Sequence, residues 1–396
     1  MLSTKAMSLT PSPTMAIDSK AKEMKSQGID VIGFGAGEPD FDTPVHIREA
    51  AIKAINEGHT RYTPASGTQE LKEAICAKFK ADNGLEYNPA QIVVSNGAKH
   101  SLFNALAAVL NRGDEVIIPV PYWVSHPELV KLNDGIPVTV ETSDKNCLKL
   151  SVDDLEKHRT SKTKALILNS PTNPTGQVYS EEELKAIAAF CSKHNIFIIA
   201  DEIYEKLVYD DSRHISTASF GGRIKELSIV VNGVSKSYAM TGWRIGYTAS
   251  SPEIARVMGA VQSHAASNPN SIAQKAALAA LEGDQECIRV MHLAFDQRRK
   301  YMYERVKAIP CLRALEPKGT FYLFVNITET ISKTFQGQRI NDSDDFARCL
   351  LENRNVALVP GTGFGSANYV RLSFATSQEN IIEGLNRIEA FIADLE

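Results

Sequence analysis

The sequence predicts an α/β protein: a three-layer αβα large domain on a mostly parallel sheet, with a smaller α+β domain attached. Three observations predict it. Short apolar runs recur between residues 91 and 250, mostly without polar alternation, which is the pattern of strands covered on both faces. Helical periodicity fills several of the intervals between them. At 396 residues the chain also exceeds what one core usually organises, so a second unit is expected.

Thr68 opens a helix through Lys80, with Leu71, Ile75 and Phe79 at i, i+4 and i+8 on one face. QIVVS (91–95) reads as a strand, and NGAKHSLFNALAAVL starts a long apolar helix. DEVIIPV (114–120), IPVTVET (136–142), KALILN (164–169) and IFIIAD (196–201) read as further strands, followed by LSIVVN (227–232) and RIGYTAS (244–250). Between two of them lies SEEELKAIAAFCSKHN (180–195), which Ser180 can cap, with glutamates in the first turn. A helical stretch near 283–308 leads out of this region. Beyond it GTFYLFVNI (319–327) and YVRLSFA (369–375) read as strands, with helices near 342–353 and 378–394. The expected division is an N-terminal segment 1–44 joining the small domain, a large domain 45–290 and a small domain 291–396.

A net charge of −4 gives no reason to expect nucleic acid or an anionic membrane as partner. No apolar run approaches the ~18 residues of a membrane span, and the N-terminus has no apolar signal-peptide core. The six cysteines form no CxxC pair and no zinc-site spacing, so no metal is expected and reduced thiols in the cytoplasm are.

In open α/β sheets ligands bind beyond the carboxyl ends of the strands, so the polar residues just after each strand matter as a set. Ser95–His100 joins a strand to a helix; it is an ordinary turn or a phosphate cradle at a helix N-terminus, with Gly97 allowing close approach. Asn169–Gly176 carries two prolines and offers Asn173 as a fixed donor. Asp201 follows a strongly apolar strand; it caps a helix, pairs with an arginine, or meets a protonated heterocyclic nitrogen. Lys236 follows another buried strand; it is a solvated lysine, or an amine of depressed pKa able to form a Schiff base. Ser235 and Arg244 could bind phosphate nearby. Arg371, inside VRLSFA, forms an internal salt bridge or grips a substrate carboxylate. Gly33–Gly37 imitates a dinucleotide fingerprint, but GEPDFDTP follows where the helix should start, which argues against a nicotinamide site.

Together AGEPDFDTP (36–44), RYTPASG (61–67), SNGAK, PYWVS (121–125), NSPTNPTG, DEIYE (201–205), NGVSKSYAMTGWRIGY (232–247), GTFYLF (319–324), VPGTGFG (359–365) and VRLSFA resemble fold-type I pyridoxal-phosphate enzymes, specifically class I aminotransferases. GHTRYTP, SNGAK, PYWVSHPE and NGVSKSYAMTGWR carry a closer likeness to the aspartate aminotransferase subgroup that includes prephenate aminotransferases. The resemblance implies pyridoxal 5'-phosphate as cofactor, held as an imine on Lys236, with Asp201 on the pyridine nitrogen. It implies Asn173 and Tyr204 on the ring hydroxyl oxygen and Trp123 stacked on the ring. It also implies Ala98, Lys99, Ser235 and Arg244 around the phosphate, with Tyr62 reaching the neighbouring subunit's phosphate in a homodimer. Arg371 would take the substrate α-carboxylate, helped by Gly37 and Asn173, and Lys99 the side-chain carboxylate, with Thr14 assisting. Aspartate, glutamate and 2-oxoglutarate are then the expected substrates, with prephenate to arogenate as a second activity. His126 and His100 stand where the relatives more often have Tyr and Gln. A β-lyase of the same fold is the nearest rival, separated by its product.

Overall fold

Strand formation follows the apolar runs, and their burial alternates in a way that requires helices on both sides. The computed structural model describes residues 2–10 and 13–396, with backbone alone at 13–16 and 18. Its strands are β1 (Ile32–Gly33), β2 (Ile92–Ser95), β3 (Glu115–Val120), β4 (Ile136–Glu141), β5 (Thr163–Asn169), β6 (Phe197–Asp201), β7 (Ser228–Gly233) and β8 (Gly246–Ala249). Then come β9 (Arg313–Ala314), β10 (Tyr322–Asn326), β11 (Thr334–Phe335), β12 (Gln338–Arg339), β13 (Val356–Ala357), β14 (Val359–Pro360) and β15 (Tyr369–Ser373).

Seven strands form one sheet in the order β2-β8-β7-β6-β5-β3-β4. All pairs are parallel except the two that β8 makes, so β8 alone runs against the rest. In β5 and β6, Ala165, Ile167 and Ile199 enter one core, while Leu166, Leu168, Ile198 and Ala200 enter another on the opposite face. Period-two alternation thus feeds two helical layers. Each such leucine or isoleucine contributes roughly 1.5–3 kcal/mol by leaving water.

The helices begin where the caps predict. Thr68 Oγ1 accepts from Leu71 N at 3.4 Å, ahead of helix Gln69–Asn83. Ser180 Oγ accepts from Glu183 N at 3.3 Å and Glu183 reaches back to Ser180 N at 2.7 Å, a reciprocal cap worth about 1 kcal/mol. Asn195, at φ 56°, ends that helix. The expected strand 244–250 starts only at Gly246, because Arg244 takes φ 60° and turns the chain.

A second sheet, β14-β15-β10-β9, is antiparallel and packs on a separate core containing Phe295, Phe321 and Phe374. β1 pairs in parallel with β13, so the chain near residue 32 belongs beside residue 356. No helix starts after Gly37 until Val45, and the dinucleotide pattern is empty of its required helix. The 23-residue helix Glu286–Ala308 touches the large-sheet core through Cys287 and Ile288 and the second core through Met291, Phe295, Met302 and Val306. β9, the β11–β12 hairpin and β13 are too short for periodicity to reveal.

Candidate active site

A cavity of about 360 Å³ opens beyond the carboxyl ends of β5, β6 and β7, roofed by the second sheet. That volume falls in the range of small-molecule sites. Gly37, Ala98, Lys99, Trp123, Asn173, Asp201, Tyr204, Ser235, Lys236, Arg244 and Arg371 all line it. Tyr62 does not line it and is 90% exposed. The side chain of Thr14 lies outside the described residues.

One end of the cleft is an anion cradle. Helix Ala98–Val109 begins at Gly97, which has no side chain to accept from its first N–H groups. Those groups and the helix dipole face the cavity. Gly97 sits at φ 84°, and a Cβ there would lie 2.3 Å from Arg244 Nη2, so only glycine lets the guanidinium approach. Arg244 donates to Thr241 O at 2.8 Å and Asn96 O at 3.2 Å, both neutral acceptors. Ser235 is buried beside it.

Asp201 closes β6 and is 4% exposed. No lysine or arginine pairs with it among the described residues. Its contacts are His126 Nε2 and Ile203 N, each at 3.4 Å. A buried carboxylate so loosely held is suited to a cation from outside the chain. Asn169 Nδ2 donates to Asp201 O at 2.9 Å, and Asn169 Oδ1 accepts from Asn173 N at 2.8 Å, fixing both loops.

Lys236 Nζ points from the end of β7 into the cleft and donates to Gly37 O at 2.5 Å. Its side chain borders the open cavity, yet protein surrounds the amine on the other sides. Burial lowers its pKa to about 8, with Arg371 and Arg244 adding to the fall and Glu38 opposing it. An amine so shifted is a nucleophile and base near neutral pH.

Arg371 lies on β15, 2% exposed. It donates to Asn173 Oδ1 at 3.0 Å and to Gly35 O at 3.1 Å, and its Nε has no partner. The internal salt bridge that would have satisfied it is absent among the described residues. Asn173 Oδ1 accepts from Arg371, which leaves its amide nitrogen as the donor the sequence expected. Lys99 lies 5.0 Å over the Trp123 ring, and its pKa is lowered by burial and then by Arg244. Lys99, Lys236, Arg244 and Arg371 thus face one cleft without a carboxylate ion-pair partner among the described residues, which draws in anions.

Three contributors went unassigned in the sequence. Tyr322 lines the cleft and meets the Tyr204 hydroxyl at 3.0 Å. His126 joins Asp201 and lies edge-on to Trp123 at 5.4 Å. Asn169 couples two loops, and its position at the end of an apolar strand, like that of Asp201, was the available signal. The residues present fit a phosphorylated heteroaromatic aldehyde: a cradle for the phosphate, a carboxylate for a ring cation, an amine for the aldehyde.

A family profile for aminotransferase class I and II matches residues 29–388. The chain is 50% identical over 391 residues to an aspartate aminotransferase of Bacillus subtilis, covering 99% of this chain and 98% of the relative. It is 45% identical to an aspartate/prephenate aminotransferase of Nitrosomonas europaea, over 99% of this chain and 100% of the relative. The solved aspartate aminotransferase of Rhizobium meliloti superposes with a TM-score of 0.96 at 40% identity, covering all of both chains.

Proposed function

Since the chain belongs to the class I and II aminotransferase family, we propose that it uses pyridoxal 5'-phosphate to move amino groups between L-aspartate or L-glutamate and 2-oxo acids, and also aminates prephenate to arogenate. The observation that carries this is the pairing, in one cleft, of a buried guanidinium that meets no carboxylate among the described residues with an amine whose pKa is about 8. When bound, the cofactor supplies an electron sink for the charge left at the substrate Cα.

The chain's own residues would then act as follows. Lys236 would hold the cofactor through its Nζ, and that amine, when free, would take the proton from the substrate Cα. Asp201 keeps the ring nitrogen protonated. Tyr204 and Asn173 would hydrogen-bond the ring hydroxyl oxygen, and Trp123 would cover the ring face. The N–H groups of Ala98 and Lys99, with Ser235 and Arg244, hold the phosphate. Arg371 takes the α-carboxylate as a two-nitrogen fork beside Gly37 and Asn173, and Lys99, with Thr14, takes the distal carboxylate.

Lys99→Ala tests the substrate class. Loss of a charge-assisted contact should cut kcat/KM for aspartate and prephenate about 10- to 100-fold while sparing a monocarboxylic amino acid. Unchanged dicarboxylate activity would sink the assignment. The same reading includes a homodimer, supported by the exposure of Tyr62 and of Val45, Ile52 and Ile55 on helix Val45–Asn56. A monomer in sedimentation would remove it. It includes the division 1–44, 45–290 and 291–396, supported by separate cores around the two sheets. It also includes the cytoplasm, supported by six free cysteines. No helix among the described residues is long and apolar enough to cross a membrane.

A further inference from the structure

We infer that Tyr322 is a positioning residue joining the two halves of the cleft: its hydroxyl directs the Tyr204 hydroxyl toward the cofactor, and its ring seats the Arg371 guanidinium for the substrate carboxylate. This rests on the proposed function.

The register makes the double contact possible. Tyr322 on β10 lies opposite Ser373 on β15, so Arg371, two residues away, is its diagonal neighbour on the same face. The guanidinium carbon stands 4.1 Å from the Tyr322 ring centroid, within reach of the ring's negative face. Arg371 has no carboxylate to orient it among the described residues, so that ring, the Phe364 ring at 5.1 Å and two neutral oxygens define its direction.

The hydroxyl works on the other side. Tyr322 is 1% exposed, and its oxygen meets the Tyr204 oxygen at 3.0 Å. Each phenol has one proton, so only one donates across the pair. Burial raises the pKa of both phenols and Arg371 opposes both rises, but Tyr204 is pushed up further while the guanidinium lies on the Tyr322 ring, which makes Tyr322 the better donor. Tyr204 then accepts from Tyr322 and keeps its own proton for a ligand in the cleft, as a stronger donor for being polarised. The backbone beneath is held firmly. Tyr322 N donates to Thr320 Oγ1 at 3.1 Å, and Tyr209 donates to Thr320 O at 2.5 Å.

Two variants separate the two roles. Tyr322→Phe keeps the ring and removes the hydroxyl. Its cofactor-loaded form should show the pH midpoint of the cofactor's absorption band raised by about 0.5–1 unit, with maleate binding by calorimetry within about two-fold of wild type. Tyr322→Leu also removes the ring, and its maleate dissociation constant should rise about five-fold. An unmoved midpoint in Tyr322→Phe, or wild-type maleate affinity in Tyr322→Leu, would overturn the inference while leaving the functional reading intact. Wild-type protein that takes up no pyridoxal phosphate would overturn both. Should Tyr322→Leu fail to fold, Tyr322→Met takes its place as the ringless variant, with the same rise in the maleate dissociation constant expected and wild-type affinity overturning the inference.

Discussion

Two arginines are sealed among the described residues, and their surroundings differ in one respect. Arg299 is 1% exposed and donates to Asp296 at 2.7 and 2.9 Å, to Asp210 at 2.9 Å, and to Glu316 and Pro317 O at 3.0 Å each. Arg371 is 2% exposed and among the described residues has only Asn173 Oδ1, Gly35 O and aromatic faces. A buried charge is costly unless compensated. The first is compensated by the fold and ties helix Glu286–Ala308 to the chain segments around residues 210 and 316. The second is left for a ligand to compensate. Burial therefore does not separate structural from functional arginines here; the partner list does.

The largest expected effect breaks the pair at Arg371. Arg371→Ala should lower kcat/KM for aspartate about 10²- to 10³-fold, with the melting temperature held or raised, because an uncompensated cation is gone. A fall in melting temperature greater than that of the Arg299 variant would erase the distinction. Arg299→Leu should do the reverse, costing about 2–3 kcal/mol of stability. That lies below the roughly 3–5 kcal/mol of a fully sealed pair, because its carboxylates, at 21–36% exposure, can rehydrate. Denaturant unfolding measures it, and an unchanged midpoint would contradict it.

Acid sharpens the same contrast. Asp210 and Asp296 have lowered pKa values: burial acts upward, but Lys318 and Arg299 at Asp210, and Lys300 and Arg299 at Asp296, outweigh it. A carboxyl held below its unfolded value binds its proton less readily when folded. Its contribution is present above the unfolded pKa of about 3.9 and is lost as pH falls through the folded value. The stability gap between wild type and Arg299→Leu should stay level from about pH 7 to pH 5 and shrink below about pH 4. A gap that widens in acid would refute the sign. The smallest effect is on Lys236. Trapping of a small aldehyde by cofactor-free protein should titrate near pH 8, following the lowered pKa of Lys236. Arg371→Ala should move that midpoint upward by removing a neighbouring cation, and Arg299→Leu should leave it in place.

Much of this was legible in the residues. Strands apolar on both faces, the caps at Thr68 and Ser180, and the polar residues ending each strand all act locally, so spacing alone reveals them. The short strands β9 and β11 to β14 escaped because two residues carry no period. Tyr322 escaped as a site residue because a tyrosine in an apolar strand reads as core, and the contact of Asn173 Oδ1 with Arg371 escaped because its partner is 198 residues away.

Local chemistry was enough to specify the sheet, the loops that carry the reactive groups, and Lys236 as the candidate amine. Pairings across the chain were beyond it: Arg371 to Gly35 over 336 residues, Tyr204 to Tyr322 over 118, His126 to Asp201 over 75. The reason is physical. Whether a buried charge is compensated depends on which groups packing brings within about 3 Å of it, and one residue of strand register turns a side chain to the other face. Composition and spacing place an arginine in a strand; the folded arrangement of the described residues around it leaves that arginine without a carboxylate.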